Sequence, residues 1–109
     1  MIYVDGSGNG KYGFVTYPNS EVKVFEESGI TCNEAEYKAI IKSLESYEDD
    51  LIDIFSDSHL AVNQLNKKWH IKNDRLRNLA LQVWELCKNR TVTFNWLPRE
   101  NNLAGKVLG

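Results

Sequence analysis

Three carboxylates, Asp5, Glu36 and Asp57, stand where a fold could gather them. Asp5 closes the run Ile2-Tyr3-Val4, strand formers with little alternation, as in a strand buried on both faces. Gly6 and Ser7 follow at once. An Asp at the end of a buried strand is costly to bury alone, so it should meet a cation or water there. Crevices at the carboxyl ends of strands are where open α/β sheets bind ligands. One reading makes Asp5 the anchor of a metal site on which the later carboxylates converge; the other has it only capping a turn through its side chain. Asp57 sits in a second polar turn, Ser56-Asp57-Ser58. If the strands before the two turns are parallel, they finish at one sheet edge and Asp5 and Asp57 lie side by side. Such a pair repels unless a cation sits between the two or one is protonated. Glu36 falls one residue before the apolar stripe of a helix, early enough to look along the sheet face toward a strand end. A surface glutamate favoured by the helix dipole is the alternative.

The elements that must position these acids are legible in the periodicity. Residues 2–4 lead into the Gly8-Asn9-Gly10 turn, and residues 11–17 read as the second strand of a hairpin. Residues 21–26 alternate polar and apolar, as in a half-exposed edge strand. Thr31 and Glu34 fit a capping box opening a helix over residues 32–47, with Tyr37, Ile40, Ile41, Leu44 and Tyr47 as its stripe. Residues 51–58 form a strand and its turn; strand, helix, strand is a crossover unit, which makes this strand parallel to the first. A short helix over residues 59–67 carries Leu60, Val62 and Leu65. A basic aromatic connector follows, then a helix capped by Asp74 and running to about residue 88, with Leu76, Leu79, Ala80, Val83, Trp84 and Cys87 inward. Residues 91–97 form a fifth strand and residues 103–109 a final stub of helix. The sheet order expected is 3-2-1-4-5, with the first strand central because Ile2 and Val4 suit burial on both faces.

Length and composition fit one domain over residues 1–109, with 42% hydrophobic and 26% charged residues. No apolar run approaches the roughly 18 residues of a membrane span. No signal peptide is expected, since the chain enters a strand immediately. Cys32 and Cys87 lack metal-ligand spacing and are expected as reduced thiols of a cytoplasmic protein, Cys87 in the core. The net charge of −2 does not advertise a nucleic-acid binder, but its distribution does more. Residues 1–56 carry four Lys/Arg against eleven Asp/Glu, and residues 57–109 carry nine against four. This suits a protein that holds a polyanion with one region and metal ions with another; two solvated faces of opposite sign would read the same.

In order along the chain, Asp5-Gly6-Ser7, Thr31-Cys32-Asn33-Glu34-Ala35-Glu36, Ser56-Asp57-Ser58 and Arg99-Glu100-Asn101-Asn102-Leu103-Ala104 resemble the type 1 ribonuclease H family. The match covers nearly the whole chain with family-like spacing. The resemblance implies an α/β fold with a five-stranded mixed sheet flanked by helices. It also implies endonucleolytic cleavage of the RNA strand of RNA/DNA hybrids with two Mg²⁺ ions; a monomer is expected, with Mn²⁺ able to substitute. Three catalytic acids of the family carry over as Asp5, Glu36 and Asp57. By resemblance Asp5 bridges both metals, while Glu36 and Asp57 hold the leaving-group ion. The fourth family acid, which would hold the ion carrying the nucleophilic water, does not carry over, because Gly105 stands in its place. Cys32 likewise replaces the first Asn of a family pair, and Asn33 matches the second. Carboxylates suit Mg²⁺, a hard cation that wants oxygen ligands and keeps several waters. With Gly105 offering no ligand, Asn101 and Asn102 are expected on the same helical face, where Asn102 could present a neutral oxygen or water could fill the gap.

The resemblance further makes Gly6, Ser7 and Asn33 candidates for contact with the hybrid's minor groove, where RNA 2′-hydroxyls are displayed. Lys67, Lys68, Trp69 and Lys72 resemble a shortened form of the family's basic handle, with lysines on DNA phosphates and Trp69 on a deoxyribose; Trp69 closing the core under solvated lysines is the alternative. His59 and His70 are expected to be solvated. Two other functions stay open: a hybrid-binding module without catalysis, and another nuclease or resolvase on the same fold.

Overall fold

The central strand of the computed structural model, which describes residues 1–108, is the first one, β1 (Ile2–Gly6). It pairs antiparallel with β2 (Lys11–Thr16) and parallel with β4 (Leu51–Ser56). The edges are β3 (Val22–Glu26), antiparallel to β2, and β5 (Thr91–Trp96), parallel to β4, giving the expected order β3-β2-β1-β4-β5. The crossover between β1 and β4 is α1 (Cys32–Ser46). Its capping box forms as read: Thr31 Oγ1 accepts from Glu34 N at 3.1 Å, and Glu34 Oε1 accepts from Thr31 N at 3.2 Å. Two helices, α2 (His59–Leu65) and α3 (Asp74–Leu86), lead from β4 to β5. After one 3₁₀ turn, Arg99–Asn101, comes α4 (Leu103–Leu108); Gly109, expected to end that helix, lies outside the described residues.

The core fills the space between α1, α3 and one sheet face. Ile2, Val4, Phe14, Ile52 and Ile54 from the strands meet Tyr37, Ile40, Leu44, Leu79, Ala80 and Val83 from the helices. Asp5 alternates to the opposite face from Val4. There α4 packs against β1 and β2, so the short last helix covers the sheet from the far side of α1. Tyr3 and Phe55 stack on that face, ring centroids 5.2 Å apart.

Three local expectations change. The edge strand β3 turns Val22 and Val24 to solvent, with Val24 50% exposed, and it is Phe25 that packs inward on Tyr12 at 5.6 Å. Register explains this: Phe25 lies opposite Tyr12, on the face that α1 covers, whereas Val24 lies opposite Gly13 on the other. The cap of α3 is Asn73 rather than Asp74; Asn73 Oδ1 accepts from both Arg75 N and Leu76 N, leaving Asp74 to pair with Arg77 at 2.8 Å. The helix α2 stops at Leu65, and Lys67 then takes a left-handed conformation, φ 63°, that no helix continues through. Cys87 caps the end of α3, half-buried against the core.

Candidate metal centre and nucleic-acid interface

The site begins with a glycine. A Cβ on Gly6 would lie 2.5 Å from both the carbonyl carbon of Ala35 and the amide nitrogen of Glu36. Only a residue without a side chain lets the first turn of α1 rest against the end of β1. That approach brings Glu36 over the strand end, where its Oε1 accepts from Gly6 N at 3.1 Å. Ser56, the last residue of β4, donates its hydroxyl to Glu36 Oε2 at 3.1 Å and accepts from Ser58 N at 3.0 Å. Both oxygens of Glu36 are therefore held. Asp57 follows in the turn, its carbonyl accepting from the Trp96 indole at 3.1 Å and its Oδ2 from Asn102 Nδ2 at 3.1 Å.

One carboxylate oxygen each from Asp5, Glu36 and Asp57 comes within 4.8 Å of the others. Asp5 is 7% exposed and Glu36 3%. Burial first, then the neighbouring Asp5 carboxyl and the charges of Asp5 and Asp57, hold the Glu36 carboxyl well above its ordinary range; the Gly6 N–H pulls the other way. Burial also raises Asp5, opposed by its hydrogen bond with Glu36 and helped by the charge of Asp57. Crowded acids that resist ionising together, all offering hard oxygen donors, fit a divalent cation such as Mg²⁺ or Mn²⁺.

The position expected to lack the fourth acid faces the same spot. A Cβ built on Gly105 would meet Asp5 Oδ2 at 3.6 Å and Asn102 Cβ at 4.0 Å, ordinary van der Waals distances. The suggestion that Asn102 supplies an oxygen in its stead is not supported by the geometry. Its Oδ1 is taken by Ala104 N at 3.1 Å, and its Nδ2 is the atom turned to Asp57. The helix that was to align both asparagines with position 105 starts only at Leu103: Asn102, just before it, still lies beside position 105, whereas Asn101 sits exposed on the 3₁₀ turn.

Of the residues expected to touch nucleic acid, Gly6 is buried under α1, Ser7 is half-buried with its hydroxyl on Lys11 O at 3.2 Å, and Asn33 is exposed in the first turn of α1. Cys32 beside it donates weakly to Gly6 O at 3.5 Å, and burial and the nearby acids raise its thiol pKa. Lys67, Lys68, Trp69 and Lys72 are all exposed on the connector after α2, and no hydrogen bond or ion pair links them to the acids among the described residues. Trp69 is 48% exposed and does not close the core. Trp84 takes that role, half-buried, its indole donating to Leu65 O at 3.1 Å and Lys67 Nζ 5.0 Å from its ring centroid. A shallow cavity of about 410 Å³ opens there, lined by Lys67, Trp69, Arg77 and Trp84 among others. His59 is exposed as expected but stacks on Trp96 at 4.2 Å. Sequence reasoning missed Ser56 and the donor role of Asn102. A buried-strand serine next to Asp57, and an Asn directly before a helix, were the available signals.

The RNase H family model matches residues 1–105. Ribonuclease H of Syntrophus aciditrophicus is 33% identical over 124 residues, 94% of this chain and 70% of that protein. Bifunctional protein Rv2228c of Mycobacterium tuberculosis is 29% identical over 120 residues, and the chain spans only 32% of its length. The solved N-terminal RNase H domain of that protein superposes with a TM-score of 0.84 at 25% identity, over 99% of this chain and 88% of that one. LC11-RNase H1, isolated from compost and solved in complex with an RNA/DNA hybrid, agrees in fold: TM-score 0.82 at 23% identity, over 98% of this chain and 91% of that one.

Proposed function

The chain belongs to the RNase H family, and from that premise we propose that it is a metal-dependent endonuclease acting on the RNA strand of RNA/DNA hybrids, weakened by Gly105. The observation that carries this reading is the convergence of Asp5, Glu36 and Asp57 at the ends of two parallel strands. Asp5, Glu36 and Asp57 would hold the cations. Two divalent ions held there would supply an activated water and charge stabilisation for the leaving oxygen. Gly6 N–H and Ser56 hydroxyl keep Glu36 in one orientation, so little reorganisation is left for the reaction. On ligand binding Glu36 must give up the proton that burial and its neighbours favour, so metal affinity rises with pH. Ser7 and Asn33, half-buried and exposed beside the acids, would meet the minor groove, whereas Gly6, buried with both its backbone groups bonded, serves the site by letting α1 approach. Lys67, Lys68 and Lys72 would meet DNA-strand phosphates as point charges, with Trp69 against a sugar.

A second reading is favoured by one observation, the missing side chain at 105: a module that binds hybrid without cutting it. A labelled RNA/DNA hybrid incubated with the protein in Mg²⁺ and then Mn²⁺, beside Asp5→Asn, separates them. Slow cleavage confined to the RNA strand, faster in Mn²⁺ and absent in Asp5→Asn, supports the nuclease. Tight salt-dependent binding with no cleavage in either metal supports the module. Neither binding nor cleavage overturns both.

A further inference from the structure

We infer that Asn102 is a positioning residue for the acid cluster, fixing through its side-chain amide how Asp57 presents its carboxylate to a divalent cation; this rests on the metal-centre reading above. Asn102 is 0% exposed. Its Nδ2 donates to Val4 O at 2.9 Å and to Asp57 Oδ2 at 3.1 Å, while its Oδ1 accepts from Ala104 N at 3.1 Å. The three partners sit on β1, on the turn after β4 and in the first turn of α4. A reversed amide would face oxygen against a carbonyl and a carboxylate, and NH₂ against an N–H, so the orientation is determined by its partners.

Capping alone does not account for this residue. A cap uses only the oxygen, and Ser, Thr or Asp would serve as well. Both amide hydrogens are surplus to that task, and burying them is costly unless they are paired. One of them makes a charge-assisted bond to Asp57. It is the one side-chain hydrogen bond made to the Asp57 carboxylate among the described residues. Asp57 lies half-buried in a turn with a carboxylate oxygen within 4.8 Å of Asp5 and Glu36, so a fixed donor decides where its carboxylate rests. Gly105 has no side chain to contribute. Asn102 thus ties the last helix to the cluster in the absence of a ligand from that helix.

The test uses the metal-free protein and Mn²⁺ alone, measured by titration calorimetry well below the melting temperature. Asn102→Ser keeps a capping oxygen and loses the amide donors. Support would be a folded Asn102→Ser that binds Mn²⁺ about tenfold more weakly than the unaltered protein, with Asp5→Asn binding none. Should Asn102→Ser fold and bind Mn²⁺ as the unaltered protein does, the positioning role is overturned while the metal centre stands. Should the unaltered protein bind no better than Asp5→Asn, the metal centre falls and the positioning role with it. The unaltered protein also supplies a readout independent of whether the variant folds. The Asn102 side-chain amide resonances should move on Mg²⁺ addition in step with the Asp57 carboxyl carbon. Amide resonances that stay fixed while that carbon shifts would overturn the inference.

Discussion

Restoring a carboxylate at position 105 should trade stability of the metal-free protein for rate. Gly105→Asp is sterically open, since the new Cβ would stand 3.6 Å from Asp5 Oδ2 and 4.0 Å from Asn102 Cβ. Position 105 is third in α4, where replacing glycine gains a few tenths of a kcal/mol in helix propensity and a first-turn carboxylate adds roughly 0.3–1 kcal/mol. Against this, a new charge about 4 Å from another costs on the order of 4 kcal/mol at an effective dielectric constant of 20. Two of the three acids already there have raised pKa values. Repulsion wins, so without metal Gly105→Asp should melt below the unaltered protein. Saturating Mg²⁺ should reverse the order, because the fourth carboxylate then meets a cation. In single-turnover cleavage of a labelled hybrid, kcat in Mg²⁺ should rise by about 10²-fold, roughly 2.7 kcal/mol of barrier, with hybrid affinity nearly unchanged. Brisk cleavage by the unaltered protein in Mg²⁺, together with no gain in Gly105→Asp, would refute the reasoning: a fourth ligand would then already be present.

Glu36→Gln should stabilise the metal-free protein near neutral pH. A carboxyl whose folded pKa is raised binds its proton more tightly folded than unfolded, so stability falls as pH climbs from the ordinary glutamate range toward the raised value, by up to about 1.4 kcal/mol per pH unit. The gain should vanish on acidification below that range, and melting curves across pH would check both limbs. Gly6→Ala should cost about 3 kcal/mol or more, since its Cβ meets backbone rather than a movable side chain; denaturant titration measures it, and a near-neutral result would mean α1 can slide away. Replacing Lys67, Lys68 and Lys72 together by Ala should weaken hybrid binding regardless of sequence. The slope of log affinity against log salt should flatten by about 0.7–0.9 for each phosphate no longer neutralised. An unchanged slope would remove that connector from the interface.

The sheet order, the crossover and the capping box could be read because each rests on local chemistry: turn glycines, helical spacing from Tyr37 to Leu44, and Thr31 three residues before Glu34. The acids could be paired on paper because parallel strands end together. What escaped depends on register and side-chain reach. Val22 and Val24 look inward by pattern, and only their pairing with Val15 and Gly13 puts them on the open face. Asp74 and Asn73 are equally good caps by type; the chain's turn one residue earlier chose Asn73. Asn102 looked like a ligand because an amide has an oxygen. Which end of the amide faces Asp57 is fixed by Val4 O and Ala104 N, one partner 98 residues away in the chain and the other two.

The Gly6 amide hydrogen bridges the cluster and the core. It is donated to a side chain carried by α1, on a strand at the middle of the sheet. Solvent deuterium can reach it only when the strand end and the helix part, and that motion exposes the packing of Tyr37 and Val4 as well. Its exchange rate should therefore fall among those of the slowest amides, set by opening of the whole domain rather than by loop motion. A site held in this way keeps its geometry for as long as the fold lasts.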